Sequence, residues 1–307
     1  MKNLKNEFDI KKIIIGGVLL LVFLFSGVDA TGLTTSIYSL FDSSKKDVVE
    51  TSNGKEMTVH YIDVGQGDSI FIELPNNTTM LIDSGESWKG EDVENYIKEE
   101  GYSKIDYLVG THPHTDHIGG LKHIIESFDI GKIYMPNASS NSKTFENLLK
   151  AISSKGLKIK NAKAGVNILD EENLDIDIIA PNSNSYSGLN DYSAVIKITY
   201  GEKEFLFMGD AEETSEEEIL DKEFDISVDV VKVGHHGSET SSIQKFVDKV
   251  NASYAIISVG EENKYDHPYK GTIKRWKDSG ALVYRTDKNG TVVVTTDGEK
   301  IDVKTLK

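Results

Sequence analysis

From Met57 onward the chain runs in short blocks of alternating apolar and polar residues, each closed by a turn or followed by a helical period. MTVHYIDVG, DSIFIELP and TMLIDSG alternate with period two and predict three strands, with PNN as the turn between the second and third. EDVENYIKEEG predicts a helix ending at Gly101, and KIDYLVGTH a strand that runs into residues 111–120. LKHIIESF is a short helix, KIYMP a strand, and TFENLLKAISSKG a helix that stops at Gly156. The second half has the same texture. LDIDIIAP, SAVIKITYG and KEFLFMGD read as consecutive strands before an acidic helix, EETSEEEILDKE. Then come the strand SVDVVKVGHHG, the helix SIQKFVDKVN, the strand YAIISVG, the helix TIKRWKDSG and the closing strands ALVYRT and TVVVTTDG. Two blocks of strands, each with helices after it, predict an α/β fold in which two sheets pack together with helices outside. With no short-period repeat and no internal Pro- or Gly-rich linker, residues 57–307 read as one domain.

The N-terminus follows a different pattern. Lys2, Lys5, Lys11 and Lys12 precede an uncharged, mostly apolar run from Ile13 to Val28, the grammar of an export signal. Val28 and Ala30 suit the −3 and −1 positions of a cleavage after Ala30. The run would span roughly 24 Å as a helix at 1.5 Å per residue, short for a full membrane span. Residues 1–30 are therefore a cleaved signal peptide or an uncleaved membrane anchor, and either places the remainder outside the cytoplasm. Residues 31–56, polar and mixed in charge, read as a linker.

Composition narrows the chemistry. A net charge of −16 argues against a surface that coats nucleic acid, since phosphate binding rests on Lys and Arg. It leaves room for a local site where metal ions supply the positive charge. The chain has no cysteine, which removes disulfides, thiolate zinc sites and thiol nucleophiles together.

Against that background residues 111–120, THPHTDHIGG, stand out: His112, His114, Asp116 and His117 crowd one loop at a strand end, in a chain with eight histidines. Ligands already gathered on one loop lower the entropic cost of collecting a metal ion, and imidazole with carboxylate suits zinc or manganese. Water on such an ion loses a proton near neutral pH and becomes a nucleophile. More distant ligand types also follow apolar strands: Asp210 after FLFMG, His235 in GHHGS after VVKV, and His267 in YDHPY beyond AIISVG. Sheets of this class place their sites outside the carboxyl ends of strands. GQGDS at residues 65–69 lacks the spacing of a phosphate-binding glycine loop and reads as a tight hairpin turn beside the site.

HxHxDH followed by a strand-end Asp and a later strand-end His resembles the metallo-β-lactamase superfamily. IDVGQGDSIFIELP, THPHTDHIGG, LNDYSAVIKITYGEKEFLFMGD, KVGHHGS and YDHP resemble, in that order, the β-lactamase-like domain of ComEC-type competence proteins. The resemblance implies a four-layer αβ/βα sandwich with two divalent metal ions, zinc or manganese. Carried over residue by residue, His112 and His114 hold the first ion, Asp116, His117 and His235 the second, and Asp210 bridges them. Asp83 braces the loop. The superfamily's further histidine for the first ion is missing, because no histidine lies between His123 and His235. Asn190 or Asp191 completes that ion, or it waits for substrate. The choice between His235 and His236 stays open, with His235 favoured as ligand and His236 given to substrate beside Ser238 and Asn190. His267 is placed to touch substrate or protonate a leaving group.

These residues imply a hydrolase, with Asp116 and Asp210 orienting the nucleophile and phosphodiesters as the favoured substrate, single-stranded DNA or a cell-envelope phosphodiester among them. Lys232, Lys264, Tyr265, Tyr269 and Lys270 are candidates for a basic, aromatic groove. The alternatives are a metallo-hydrolase of carbon esters, lactones or amides, and a binding domain without activity on the same fold.

Overall fold

The computed structural model describes residues 56–307, so the signal or anchor segment and nearly all of the linker lie outside the described residues. Fifteen strands follow in chain order: β1 (Met57–Tyr61), β2 (Ile70–Glu73), β3 (Thr79–Ile82), β4 (Lys104–Val109), β5 (Asp129–Met135), β6 (Ile159–Asn161), β7 (Val166–Glu171), β8 (Leu174–Ala180), β9 (Val195–Tyr200), β10 (Lys203–Phe207), β11 (Val230–Lys232), β12 (Tyr254–Ile257), β13 (Leu282–Arg285), β14 (Val292–Thr296) and β15 (Ile301–Thr305). They form an eight-stranded sheet in the order β15-β14-β1-β2-β3-β4-β5-β6 and a seven-stranded sheet in the order β13-β12-β11-β10-β9-β8-β7.

Alternation along each strand builds the layers. Ile70 and Ile72 of β2, with Tyr107 and Val109 of β4, share one apolar core with Ile176, Ile196, Phe205 and Phe207 of the second sheet. Phe71, Leu81 and Leu108, the residues between, face the other way. There they meet Val93 and Ile97 of α1 (Gly90–Glu99), Ile124 of α3 (Leu121–Ser127) and Leu148 of α4 (Lys143–Ser154). The short α2 (Thr115–Ile118) precedes α3. On the second sheet Leu206, Val231 and Ile257 pack outward against Ile219 of α5 (Glu213–Asp221), Phe246 of α6 (Gln244–Val250) and Trp276 of α7 (Lys270–Asp278). Helix, sheet, sheet and helix are thus stacked around a period-two pattern, the α/β four-layer sandwich expected.

Strands β3, β4 and β5 run parallel, as do β10, β11, β12 and β13. Parallel neighbours put their carboxyl ends on one edge, so the loops after β4, β10 and β11 emerge together. Three strands were not foreseen: β6, β7 and β15. Each closes an edge of its sheet. The reason is physical: β6 is exposed throughout, and β7 and β15 bury at most one face, so no continuous apolar run marks them.

Candidate metal centre

The loop after β4 is built around a buried carboxylate. Asp83 follows β3 in a left-handed conformation (φ 57°) and is fully buried. Its Oδ1 accepts the Thr111 N–H at 2.8 Å, and its Oδ2 accepts the Thr111 hydroxyl at 2.6 Å and the His117 Nδ1–H at 2.8 Å. The expected brace is therefore in place. Because the Thr111 proton is committed to Asp83, Thr111 Oγ1 is free to accept Nδ1–H of His112, at 3.1 Å. His236 donates its Nδ1–H to the carbonyl of Ser258 at 2.9 Å. In all three rings the partner at Nδ1 turns Nε2 into the site, where it offers a lone pair whenever the ring carries a single proton.

Those lone pairs converge. His117 Nε2 and His236 Nε2 lie 3.3 Å apart. Both face Asp210 Oδ1, at 3.2 and 3.4 Å, and His236 Nε2 is 3.5 Å from Asp116 Oδ2. Asp210 Oδ1 is buried and accepts no hydrogen bond. Two ligand atoms about 2.1 Å from a shared tetrahedral ion sit roughly 3.4 Å apart, so this set fits a divalent cation. His112, His117 and Asp210 form a second triplet within ligand reach, with His112 Nε2 at 3.7 Å from Asp210 Oδ2 and 2.9 Å from His114 Nδ1.

The electrostatics agree with the geometry. Burial opposes charge on His117 and His236, yet the carboxylates win. Asp210 and Asp83 lift His117 well above its ordinary value, and Asp210, Asp116 and Asp68 lift His236 to about 9. Burial would raise the carboxyls of Asp116 and Asp210, but the surrounding imidazoles hold both low. Such a pocket demands positive charge, from protons or from metal ions.

Between His235, favoured by sequence as the second ion's histidine, and His236, the arrangement brings in the latter. His236, not His235, groups with Asp116 and His117. The turn after β11 explains why: His235 (φ 46°), His236 (φ 52°) and Gly237 (φ 75°) are successively left-handed, which swings His236 inward. His235 remains 22% exposed, its Nδ1–H donating to Glu212 Oε1 at 2.9 Å and its Nε2 lying 3.8 Å from Asp210 Oδ2.

Other expected residues fall on both sides. A pocket of about 260 Å³ opens over the site, lined by His114, Asp116, Asp210, His235, His236 and His267 among others. His267 is half-buried, and burial together with the neighbouring His235 and His236 lowers it to about 4. Neutral at pH 7, it suits hydrogen bonding to substrate better than protonating a leaving group. Asn190 lies against His235. Asp191 does not reach the first ion's ligands: its Oδ1 accepts the N–H groups of Glu212 and Ser215 at the start of α5. Ser238 is buried and bonded to Thr240, and is not part of the pocket lining. Lys232 cannot line a groove, because it is fully buried and paired with Asp68 at 2.7 Å.

Sequence alone does not pair these two residues. Asp68 sits in the GQGDS turn, where Gly67 (φ 128°) lets the backbone press against the metal loop. A Cβ there would fall 2.2 Å from the Asp116 carbonyl. Asp68 Oδ1 is 3.4 Å from His236 Nδ1, so the Lys232–Asp68 pair lies directly beneath the site. The available signal was a lone lysine inside an otherwise apolar strand, which calls for a buried partner.

Comparison with known proteins agrees with this geometry. The profile of the metallo-beta-lactamase superfamily matches residues 62–261. The chain belongs to that superfamily. Its members are generally metal-dependent hydrolases, and the His and Asp groups described above imply divalent metal ions here. Among curated proteins, ComE operon protein 3 of Bacillus subtilis is 30% identical over 254 residues, 77% of this chain and 33% of that protein. Competence protein ComA of Neisseria gonorrhoeae is 26% identical over 242 residues, 77% of this chain and 32% of that protein. The chain thus spans about a third of the length of these ComEC-type relatives. Among solved structures, CmlA, a diiron beta-hydroxylase from Streptomyces venezuelae, shares the fold at a TM-score of 0.52 and 17% identity, over 75% of this chain and 53% of that one.

Proposed function

We propose that the protein is an exported, metal-dependent phosphodiesterase, acting on single-stranded DNA or on another phosphodiester of the cell envelope. The observation that carries the reading is the Asp210 carboxylate, whose two oxygens each face imidazole nitrogens: His117 and His236 on one side, His112 and His235 on the other. One carboxylate shared by two ligand sets suits a two-metal site. When bound, such ions, zinc or manganese, would supply positive charge to the reacting oxygens and would activate water near neutral pH. His112, His114, Asp116, His117, Asp210 and His236 would hold them. Asp116 and Asp210, kept ionised, orient the nucleophile from the floor of the pocket, while neutral His267 hydrogen-bonds a phosphoryl oxygen at its wall.

The substrate class is supported at the pocket rim. Tyr265 is 52% exposed, its ring stacked at 5.6 Å on His267, and the Lys264 ammonium lies 5.1 Å from the same ring. An exposed aromatic with a cation over it is a platform for an unpaired base. The relatives named as competence proteins favour nucleic acid on the same grounds, and the Lys-flanked apolar N-terminus supports export.

Turnover of bis(p-nitrophenyl) phosphate tests this. Metal-stripped full-length protein is expected to be silent and to recover with zinc or manganese, and Asp116→Asn and His114→Ala are expected to abolish the recovery. A chain that binds both ions yet leaves the phosphodiester intact would overturn the proposal and direct attention to carbon esters and lactones.

A further inference from the structure

The loop between β12 and α7 brings Tyr265 and His267 to the pocket, and one side chain holds it in shape. Asn263 Oδ1 accepts the N–H groups of Tyr265 at 3.2 Å and His267 at 3.0 Å. Its Nδ2 donates to the carbonyls of Gly260 at 3.0 Å and His267 at 2.7 Å. A side-chain amide offers two lone pairs and two N–H groups, so every place on Asn263 is taken. His267 is gripped through both its N–H and its C=O. Asp266, just before it, is left-handed (φ 57°), an uncommon conformation for a residue with a Cβ, in the reversal that returns the chain to Asn263.

Both ends of this loop stand on turns that flank the site. The Gly260 N–H donates to Gln66 Oε1 at 3.3 Å, and a Cβ on Gly260 would fall 2.7 Å from the Gln66 nitrogen. Gln66 precedes Gly67, which presses on the Asp116 carbonyl. At the far end the Tyr269 N–H donates to the Gly237 carbonyl at 2.9 Å, next to His236. Asn263 itself does not line the pocket.

Resting on the phosphodiesterase reading above, we propose that this loop is a nucleobase subsite and that Asn263 is its positioning residue. Tyr265 and His267, their rings 5.6 Å apart and only 26° from parallel, receive the base joined to the phosphate in the pocket. A base offers a flat face to this platform, and a bare sugar or polyol phosphate does not. Tyr265 is 52% exposed, and an exposed side chain on a free loop would lose conformational freedom on binding. Asn263 removes that cost by fixing the backbone of both ring-bearing residues beforehand.

Binding decides the matter without reference to turnover. Full-length protein loaded with manganese is titrated calorimetrically with thymidine 3′- and 5′-monophosphate and with deoxyribose 5-phosphate, none of them a diester. Wild type should bind at least one nucleotide about 10-fold or more tighter than the sugar phosphate, the scale of one stacked base. Asn263→Ala and Tyr265→Ala should each erase that preference, and Tyr265→Phe should keep it. The double variant should be no worse than either single one, as expected where one residue acts through the other. Manganese content and far-ultraviolet circular dichroism of Asn263→Ala should match wild type. No base preference in wild type, or an undiminished one in Asn263→Ala or Tyr265→Ala, would overturn the proposal. So would a loss of manganese in Asn263→Ala, because the residue would then serve the whole centre and not the subsite. Base-selective binding with no cleavage of any phosphodiester would defeat the proposed function and leave the subsite standing. Cleavage without base selectivity would do the reverse.

Discussion

The two sheets contribute to the centre in different ways. The first sheet delivers His112, His114, Asp116 and His117 on one loop, braced by hydrogen bonds from Thr111 and His117 to Asp83. The second sheet delivers its ligands singly, Asp210 after β10 and the histidines after β11, and holds them with left-handed backbone and a buried charge, Lys232. The first arrangement is local and can survive small shifts between the sheets. The second exists only when β10 and β11 are in register and the sheets are docked. Asp68 joins the two: its N–H donates to the Asp116 carbonyl at 3.2 Å, and its carboxylate takes the Lys232 ammonium at 2.7 Å.

The largest effect should come from cutting that link. Lys232→Met leaves Asp68 charged, buried and without its cation, a loss of about 3–5 kcal/mol. Burial alone would raise the Asp68 carboxyl, and Lys232 is the chief opposing influence, so the variant should expel this charge by taking up a proton or by loosening the turn. Urea denaturation measures the loss. Adding Asp68→Asn should restore most of it, because the orphaned charge is then gone. No recovery in the double variant would mean that Lys232 acts through packing, and the two halves would then be independent.

A smaller change should follow from loosening the first half. Asp83→Asn keeps one acceptor but turns an amide N–H toward donors at Thr111 and His117. Metal affinity should fall about 10- to 100-fold, with a stability loss of about 1–3 kcal/mol. Isothermal titration with manganese reads the first number and thermal unfolding the second. An unchanged affinity would mean that the loop needs no brace, removing the contrast between the halves.

The same contrast separates what could be read in the sequence from what could not. HxHxDH was legible because its ligands are contiguous, and Asp210 because it directly follows an apolar strand. The interior strands β1 to β5 and β8 to β12 were legible from alternating or continuous apolar residues. The edge strands β6, β7 and β15 were not, since an edge needs at most one apolar face. The choice between His235 and His236 depended on backbone dihedrals at three successive residues, to which no side-chain pattern corresponds. Asp191, one of the open candidates for the first ion, could not be sorted from sequence for a related reason. A carboxylate near a metal loop reads the same in sequence whether it faces an ion or caps a helix, and here it takes the N–H groups at the start of α5.

The smallest expected effect lies behind the second half. Glu216 is fully buried in α5, and its two oxygens accept the N–H groups of Ser242 at 2.6 Å and Ile243 at 2.8 Å, pinning the segment that enters α6. Burial raises its carboxyl to about 7, with those N–H groups opposing. A carboxyl raised in the fold keeps its proton where the unfolded chain has released it. Its contribution is therefore fully present below an ordinary pH of about 4.5 and is lost as pH rises toward 7. Glu216→Gln is neutral at every pH but presents one oxygen to two N–H groups, at a cost of about 1 kcal/mol. The variant should be about 1 kcal/mol less stable than wild type at pH 5 and about 1 kcal/mol more stable at pH 8, so that the two stability curves cross near pH 6–7. Urea titrations across that range, on metal-free protein so that the ions do not add their own pH dependence, would show the crossing. Parallel curves would mean that Glu216 stays ionised throughout. The second half would then carry a permanent buried anion at α5 as well as a buried cation at Lys232, and its dependence on charge would be deeper than that of the loop it faces.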